Sequence, residues 1–365
     1  MSNNPQTAAR ISNGSSSHRG LLLGIETSCD ETSAAVLDRE NGVLANIVAS
    51  QDIHRIYQGV VPEIASREHV RLLVPTIRTA LDTAQATLDD LAAVCVTAGP
   101  GLVGSLLVGV TTTKGLALAR GLPFLGVNHL EGHVMSPFLE DSSLTPPVLV
   151  LVVSGGHTLL VHVPTLERIE VVGRTRDDAA GEAFDKVAVM LGLGYPGGAA
   201  LERHAQGGND HAYDFPRVRL EAESLDFSFS GIKTAVRVLL QRDESALAER
   251  SPDVAASFQS AVVDVLVEKT LLAQQRFQTP AIAVAGGVAA NGTLRRAFES
   301  AAASRRLKLV IPRLSYCGDN AAMIAYAGRL RLDRGERSDL TLDANPSLPL
   351  GLLPNRAVRK RGSRT

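Results

Sequence analysis

The sequence LLLGIETSCDETSAAVL, residues 21–37, describes two apolar β-strands joined by a polar turn. The first apolar run, 21–26, and the second, 34–37, have the length of strands, and hydroxyl and acidic side chains occupy the turn between them. The same plan returns at residues 147–163, PVLVLVVSGGHTLLVHV, where the turn is rich in glycine. Two copies of one strand-turn-strand unit, about 130 residues apart, predict a duplicated fold in which one hairpin opens each lobe.

Two further segments have the pattern of a strand, a glycine-containing loop and a helix. Residues 91–97 lead into the loop AGPGLVGS and a helix to Ala119, and residues 281–285 lead into GGVAAN and a helix over 292–303. Glycine lets the backbone approach a ligand closely, and the amino-terminus of a helix favours an anion. Each loop is equally typical of an ordinary strand-to-helix connection. The P-loop pattern Gly-x4-Gly-Lys-Ser/Thr does not occur in the sequence, so a P-loop NTPase is not indicated.

The segment NHLEGH, residues 128–133, places His129 and His133 four residues apart. On a helix these positions share one face, so two imidazoles there can bind a single metal ion. The helix of a zinc protease reads His-Glu-x-x-His, with the glutamate next to the first ligand. Here Glu131 lies about 200° around the helix from His129, away from the metal face. A polar, solvated helix face is the alternative for an isolated histidine pair.

Acidic side chains recur in two later segments. Asp178, Glu182 and Asp185 have the i, i+4, i+7 spacing of one helix face, followed by the tight turn YPGG at residues 195–198. The face is either a solvated acidic surface or, with this turn, part of a ligand site. Asp319 precedes an apolar segment at a predicted helix start, where a carboxylate is also a common N-cap.

Length and composition limit the possible folds but exclude few classes of function. A chain of 365 residues exceeds one compact core, which predicts two lobes. The net charge of −1 gives no overall signal for nucleic acid or a membrane, although a local basic patch is enough to bind RNA phosphates. The cysteines, Cys29, Cys95 and Cys317, match no disulfide or zinc-finger spacing, which indicates a reducing compartment and a cytoplasmic location.

The ends of the chain differ in composition from its middle. The first nineteen residues are rich in Ser and Asn and contain no acid, which predicts a disordered tail or, alternatively, a short mitochondrial presequence. Residues 356–364 hold five basic side chains, typical of a frayed terminus or of a contact with RNA phosphates. No apolar run approaches the roughly 20 residues of a membrane helix, so we expect no membrane association.

Eight ordered motifs of this sequence resemble those of the TsaD family, the tRNA N6-adenosine threonylcarbamoyltransferases formerly described as O-sialoglycoprotein endopeptidases. The resemblance extends from about Leu21 to Ala344. The motifs occupy residues 24–32, 128–133, 153–158, 177–186, 195–198, 227–234, 285–291 and 318–320.

The resemblance implies an α/β protein with the two-lobed fold of actin, sugar kinases and heat-shock ATPases (ASKHA), with duplicated mixed-sheet subdomains and a cleft between the lobes. This agrees with the paired hairpins. We therefore expect a disordered tail, two lobes, a C-terminal helix that returns to lobe I, and a basic tail. The predicted bounds are 1–20 for the first tail, 21–145 for lobe I, 146–322 for lobe II, 323–350 for the returning helix and 351–365 for the basic tail.

The resemblance also implies a reaction and its site. Members move the threonylcarbamoyl group of threonylcarbamoyl-adenylate to N6 of the adenosine next to the anticodon, in tRNAs that read codons beginning with adenine. His129, His133 and Asp319 match the family's ligands of an iron or zinc ion. The positions matching its substrate pocket are Val152, Val153, Ser154, Gly155, Gly156, Asp185, Gly198, Asn291 and, at a position usually acidic, Glu202. Asp30 and Glu31, at the tip of the first hairpin, are candidates for a base that accepts the proton of the amine.

The implied partners are tRNA, a paralogous TsaB-like subunit and a small TsaE-like ATPase, while a separate enzyme makes the adenylate. Three other functions are compatible with parts of the pattern. A metalloprotease would use the metal but needs the displaced glutamate, and a small-molecule kinase of the same superfamily has no use for the histidine pair. A non-catalytic scaffold would be expected to lack that pair, and both histidines are present.

Overall fold

The computed structural model describes residues 20–351 apart from residues 39, 41, 219, 222 and 243–248. Two five-stranded mixed sheets organise this part of the chain. The first sheet has the order β3-β2-β1-β4-β5, and the second has the order β10-β9-β6-β7-β8. The strands are β1 (Leu21–Glu26), β2 (Glu31–Asp38), β3 (Gly42–Ser50), β4 (Leu91–Gly99), β5 (Phe124–Asn128), β6 (Val148–Val153), β7 (Thr158–Thr165), β8 (Arg168–Arg174), β9 (Ala281–Ala285) and β10 (Lys308–Val310).

The two sheets repeat one topology. In the first, β1, β2 and β3 form an antiparallel meander, and β4 and β5 extend it in parallel on the other side of β1. In the second, β6, β7 and β8 form the meander, and β9 and β10 add the parallel strands. We call the half built on the first sheet lobe I and the half built on the second lobe II. The predicted duplication, with one hairpin opening each lobe, is confirmed.

Helices follow the strands at the predicted places. The loops after β4 and β9 lead into helices, as the glycine-containing segments predicted. Pro62 stands in the first turn of its helix, where its missing N–H costs no hydrogen bond. The helices are α1 (Pro62–Thr83), α2 (Val103–Arg120), α3 (His129–Glu140), α4 (Ala180–Met190), α5 (Gly198–His204), α6 (Ser230–Arg242), α7 (Ser251–Phe277), α8 (Gly292–Arg305) and α9 (Ala321–Asp333).

Helices α3 and α9 join the two lobes. Helix α9 packs against β1, β2 and α3, while α3 also contacts β6 and β9 of the second sheet. A buried apolar cluster runs through this junction and includes Leu22, Val134, Val150 and Ile324. The helix that carries the histidine pair is therefore fixed inside the shared core rather than on a solvated surface.

Helix α9, which begins at Ala321, packs against β1 and β2 of lobe I. The boundaries of the lobes themselves stay a prediction. Residues 1–19 and 352–365, which hold most of both predicted tails, lie outside the described residues. Within the described part of the chain, every helix is too short or too polar to cross a membrane.

Candidate functional site

A cleft of about 870 Å³ opens between the lobes. From lobe I it is lined by the hairpin turn 28–30 and by the loop residues 58–60 and 100–102, and from lobe II by the hairpin turn 154–157. A smaller cavity of about 270 Å³ adjoins it, and Gly155 and Asp185 line both. Both hairpin turns and the loop after β9 thus converge on one region.

Three predicted metal ligands meet at the base of the cleft. The ligand atoms of His129, His133 and Asp319 all lie within 4.8 Å of one another. Nε2 of His133 is 3.1 Å from Oδ1 of Asp319, and Nε2 of His129 is 3.5 Å from the same oxygen. The two imidazole rings are in edge contact at 4.8 Å between their centres, as expected for positions i and i+4 of one helix.

A buried carboxylate behind this triad orients the first histidine. Nδ1 of His129 donates to Oε2 of Glu26 at 3.0 Å and lies 3.1 Å from Oγ of Ser28, so Nε2 is left to face Asp319. Glu26 also accepts from the hydroxyl of Thr97 at 2.6 Å and from the backbone N–H of Ser28 at 2.5 Å. A carboxylate behind a ligating histidine fixes the tautomer and the ring orientation that metal binding requires.

The charges around the triad favour a cation. Burial alone would raise the pKa of Asp319, but the adjacent His129 and His133 lower it well below its usual range, so the carboxylate stays ionised. Burial opposes a charge on His129, yet Asp319 and Glu26 raise its pKa to about 9. His157, across the cleft, has its pKa lowered to about 4 by burial and by the charges of His129 and His133. Two carboxylates therefore face a pair of imidazoles in a largely buried site.

The neighbours of the triad explain why its members are available. The N-cap of α9 is Asn320, whose side chain accepts from the N–H of Met323, so the capping alternative for Asp319 is wrong. Glu131 is directed away from the triad and pairs with Arg331 of α9 at 3.4 Å. It is thus not positioned as the general base of a zinc protease.

The donor set fits a transition-metal ion. Two imidazole nitrogens and one carboxylate oxygen are the ligands that iron and zinc prefer, and three protein ligands leave coordination positions for a substrate. The other ring nitrogen of His133, Nδ1, is buried and has no hydrogen-bond partner among the described residues. The alternative of a solvated helix face is wrong, because both histidines are buried.

The lobe II turn presents backbone to the cleft. Ser154, Gly155, Gly156 and His157 line it, and a methyl group built on either glycine would meet no atom within 4 Å. The turn is held from behind, where the carbonyl of Ser154 accepts from the N–H of Gly181 at 3.2 Å. The predicted site residues Val152 and Val153 belong to buried β6, and their side chains line neither cavity.

The remaining predicted pocket residues surround the smaller cavity: Asp185, Gly198, Glu202 and Asn291. Oδ1 of Asp185 accepts from the N–H of Gly197 at 2.7 Å, and Oε1 of Glu202 accepts from the N–H of Gly292 at 2.7 Å. The Asn291 side chain caps α8 through the N–H of Leu294 and donates to Gln259 at 2.8 Å. These side chains lock the loops around the cavity together, which leaves Asn291 only one N–H for a ligand.

The predicted row of three carboxylates is divided. Asp178 lies before α4, which begins at Ala180, so it does not continue the face of Glu182 and Asp185. Its carboxylate binds Lys186 and Lys233 instead. Of the three, Glu182 and Asp185 line the main cleft.

The two acids at the tip of the first hairpin also separate. Asp30 lines the main cleft. Both acids line an adjoining cavity of about 130 Å³, where Glu31 accepts a hydrogen bond from Ser50 at 3.0 Å, but Glu31 does not line the main cleft. Burial, which outweighs that hydrogen bond, and the charge of Asp30 raise the pKa of Glu31 to about 7. Only Asp30 is therefore placed to meet a group bound in the cleft.

Two residues of the site were missed in the sequence. Glu26 closes an apolar strand, and an acid at the end of a run that is otherwise buried is a signal that could have indicated it. Gln259 lies in the long helix α7 and donates to Thr293 at 3.0 Å while it holds Asn291. No feature of the sequence around Gln259 indicates this role.

Comparison with known proteins agrees with this geometry. A family model described as TsaD, tRNA N6-adenosine threonylcarbamoyltransferase, matches residues 42–326. A protein named tRNA N6-adenosine threonylcarbamoyltransferase from Clostridium botulinum (strain 657 / Type Ba4) is 50% identical over 332 residues, 90% of this chain and 98% of that protein. A protein of the same name from Thermosipho africanus is 47% identical over 331 residues, 90% of this chain and 100% of that protein.

Solved structures with low identity share the fold. HypF of T. kodakarensis superposes with a TM-score of 0.56 at 16% identity, over 87% of this chain and 48% of HypF. Component A of the Acidaminococcus fermentans (R)-2-hydroxyglutaryl-CoA dehydratase gives 0.52 at 16% identity, over 86% of this chain and 98% of component A. These similarities, with the two repeated sheets, establish the ASKHA-type fold and nothing finer.

Proposed function

The chain belongs to the TsaD family of tRNA N6-adenosine threonylcarbamoyltransferases, and from this premise we propose how its cleft performs the reaction. The protein is an acyltransferase that modifies tRNA by placing a threonylcarbamoyl group on N6 of adenosine. A metalloprotease or a small-molecule kinase is not favoured.

We propose that the donor is threonylcarbamoyl-adenylate and that its nucleotide half occupies the smaller cavity. The exposed amides of Gly155 and Gly156 suit a phosphate, because bare backbone N–H groups and a nearby helix start attract an anion. Asp185 and Glu202 at the wall of the smaller cavity offer acceptors to ribose hydroxyls. This arrangement directs the acyl half of the donor toward the triad, since Gly155 lines both cavities.

We propose that His129, His133 and Asp319 hold one divalent metal ion, iron or zinc. When bound, the ion supplies a Lewis acid that orients the threonylcarbamoyl group and polarises its carbonyl. Glu26 and Ser28 keep the ring of His129 in the orientation that this requires. The burial of both histidines excludes bulk water from the ligand set.

The transfer itself is a substitution at the carbamoyl carbon. The N6 lone pair forms the new C–N bond, the bond from that carbon to the phosphate oxygen breaks, and AMP leaves with the bonding electrons. N6 loses one proton, which we assign to the carboxylate of Asp30 because it lines the same cleft as His129 and Asp319. An adenylate is a good leaving group, so correct positioning supplies much of the rate.

We further propose that the acceptor is the adenosine adjacent to the anticodon in tRNAs that read ANN codons, and that a paralogous TsaB-like subunit assists. Exposed apolar residues on α1 and α2 offer a surface for that subunit: Val70, Val74, Val103 and Leu107. The two helices pack closely, since a methyl group on Gly104 would lie 2.3 Å from Oγ of Ser66. A TsaE-like ATPase and a cytoplasmic location stay predictions.

The observation that carries the proposal is that two members of the metal triad, His129 and Asp319, line one cleft together with the exposed lobe II glycines. Its test is the mass-spectrometric measurement of N6-threonylcarbamoyladenosine in tRNA from cells depleted of this protein. We expect the nucleoside to disappear, to return with the wild-type gene, and to stay absent with Asp319→Asn. Asp210→Asn, an exposed aspartate outside the cleft, is the matched control and should restore it. An unchanged nucleoside content after depletion contradicts the proposal.

A further inference from the structure

Part of the cleft has no role in binding the donor as proposed above. The donor is assigned to the smaller cavity, the lobe II turn and the triad. The opposite side, which we call the lobe I wall, consists of Gln58, Gly59 and Val60 and of Pro100, Gly101 and Leu102. The cleft that contains this wall is about 870 Å³, against about 270 Å³ for the smaller cavity. A second reactant therefore has room on the wall.

The chemistry of the wall suits a neutral, flat ring. Val60, Pro100 and Leu102 are partly exposed side chains without charge, and the wall holds no Lys or Arg for a phosphate. Across the cleft, Val189 of α4 is 41% exposed and Tyr195 presents an aromatic ring. Helix α4 also lines the cleft with Met190 and with the charged side chains of Glu182, Asp185 and Lys186. Apolar and aromatic surfaces on two sides of a slot are the usual environment of a nucleobase that has left its stack.

The rim of the wall continues this character. A 3-10 helix, Asp52–Tyr57, leads directly into Gln58. Its last two residues, Ile56 and Tyr57, are 75% and 54% exposed. An exposed tyrosine beside a base-sized slot is a stacking platform for a neighbouring base of a single-stranded loop.

The wall is built together with the reacting groups. The N–H of Leu102 donates to the carbonyl of Ser28 at 2.8 Å, and Ser28 in turn contacts His129. On the other side, the N–H of Gln51 donates to the carbonyl of Asp30 at 3.2 Å, and the Gln51 side chain holds the ring of His54. That ring accepts from the N–H of Val61, directly after the wall. The wall is thereby fixed in position relative to both Asp30 and His129.

We propose that the lobe I wall, with Tyr57 at its rim, is the binding site of the acceptor nucleoside, an adenosine turned out of its RNA loop. The proposal rests on the proposed function, because it assigns the second substrate of that reaction. The N6 amine of an adenine on the wall faces Asp30, and the adjacent base of the loop stacks on Tyr57. The wall supplies no ligand to the donor.

Two substitutions test the wall without touching the triad. In Val60→Trp the larger side chain fills the slot. In Tyr57→Ala the stacking platform is lost, and because Tyr57 is exposed, the substitution should have little effect on the stability of the fold. Leu340→Ala is the matched control, since Leu340 is also 54% exposed and does not line the cleft. Circular dichroism and thermal melting check that each variant is folded.

Threonylcarbamoyl transfer is measured at a saturating donor concentration and at varied tRNA concentrations, in a reaction mixture in which the wild-type protein is active. We expect Val60→Trp to lower kcat/KM for tRNA about 100-fold and Tyr57→Ala to raise KM for tRNA about tenfold. Titration calorimetry with a non-hydrolysable donor analogue should give Kd values within about twofold of wild type. Leu340→Ala should match wild type in both measurements.

A direct readout uses an anticodon stem-loop with 2-aminopurine in place of the target adenosine. Binding to the wild-type protein should raise its fluorescence as the base leaves the stack, and Val60→Trp should abolish the rise. Equal loss of donor-analogue affinity in Val60→Trp would assign the wall to the donor and overturn the proposal. Wild-type KM for tRNA in both variants would also overturn it. Failure of wild-type transfer to any tRNA contradicts the proposed function instead, while the stem-loop assay still tests the wall.

Discussion

The turn of the first hairpin, residues 27–30, and the turn of the second, residues 154–157, hold equivalent places in two sheets of the same topology. Each is anchored by the carbonyl of a serine. Ser28 accepts from the N–H of Leu102, and Ser154 accepts from the N–H of Gly181. Each carbonyl also lies 2.5 Å from where a methyl group would stand on the glycine behind it, Gly101 or Gly181.

The two turns differ in what they present to the cleft. In lobe I, Glu26 and Ser28 are buried and their side chains hold His129. In lobe II, Gly155 and Gly156 are exposed and offer only backbone. Duplication thus yields one turn that orients a metal ligand through side chains and one that leaves amides free for an anion. Both roles are compatible with the same fold because each turn is anchored through a backbone carbonyl, which leaves the side chains of the turn free to differ.

The largest effect should follow from changing Glu26, the last residue of β1, directly before the lobe I turn. Glu26→Gln removes the negative charge behind Nδ1 of His129 and leaves one accepting oxygen where His129 and the N–H of Ser28 now use two, so we expect metal affinity and transfer activity to fall about 10- to 100-fold. Glu131→Gln is the control, because Glu131 is a half-buried glutamate that pairs with Arg331 away from the triad. That change should cost about 1–3 kcal/mol in the free energy of unfolding and leave metal affinity unchanged. Metal titrations that give wild-type metal affinity for both variants would show that Glu26 does not support metal binding.

A pair of glycine substitutions should sharpen the contrast between the turns. In Gly155→Ala the added methyl group meets no atom within 4 Å, so the free energy of unfolding should change by less than about 0.5 kcal/mol. The methyl group intrudes beside the free amides, and affinity for a donor analogue should fall about tenfold. Gly101→Ala places its methyl group against Ser28 and should destabilise the protein by about 1–3 kcal/mol.

Urea unfolding and titration calorimetry on both glycine variants measure these effects. Gly155→Ala should lose affinity for the donor analogue and keep its stability, whereas Gly101→Ala should lose stability. The reverse assignment, with a destabilised Gly155→Ala and a fully stable Gly101→Ala, is incompatible with this expectation.

The smallest effect concerns Glu31, the first residue of β2, whose equivalent position in lobe II is the uncharged Thr158, the first residue of β7. Its pKa is raised to about 7 in the folded protein, mainly by burial, from an ordinary value of 4.5. The folded state then binds the proton more tightly, so this contribution is complete below pH 4.5 and is lost as the pH rises through 7. Between pH 5 and 8, wild type should lose about 1 kcal/mol of stability relative to Glu31→Gln, a figure reduced for partial exposure. A pH-independent difference between the two proteins would contradict the assigned cause.

The sequence predicted the elements of the fold well because their signals are local. Alternating apolar runs defined both hairpins, and glycine loops defined the starts of α2 and α8. The start of α4 was not predictable in this way. The N–H of Ala180 is capped by the hydroxyl of Thr158 from β7, so a contact distant in sequence fixes the helix start and leaves Asp178 outside it.

The site was less accessible to local reasoning. The spacing of His129 and His133 indicated a pair, but Asp319 joins them only through the packing of α9 on α3, and its assignment came from the family resemblance. Asp319 and Asn320 are adjacent cap candidates, and only the structure shows that Asn320 takes that role. The same holds for Asp30 and Glu31, which are neighbours in sequence and share a small cavity, although only Asp30 also lines the main cleft.

The central claim is that the buried triad is the metal centre on which threonylcarbamoyl transfer depends. It is tested most directly by measuring metal content and transfer activity on the same preparations of wild type and of the double variant His129→Ala, His133→Ala. His211→Ala, an exposed histidine outside the cleft, is the control. We predict that metal and activity are lost together in the double variant and kept in the control, with the fold retained because the core is large without the ion. Full transfer activity in a metal-free double variant would contradict the account.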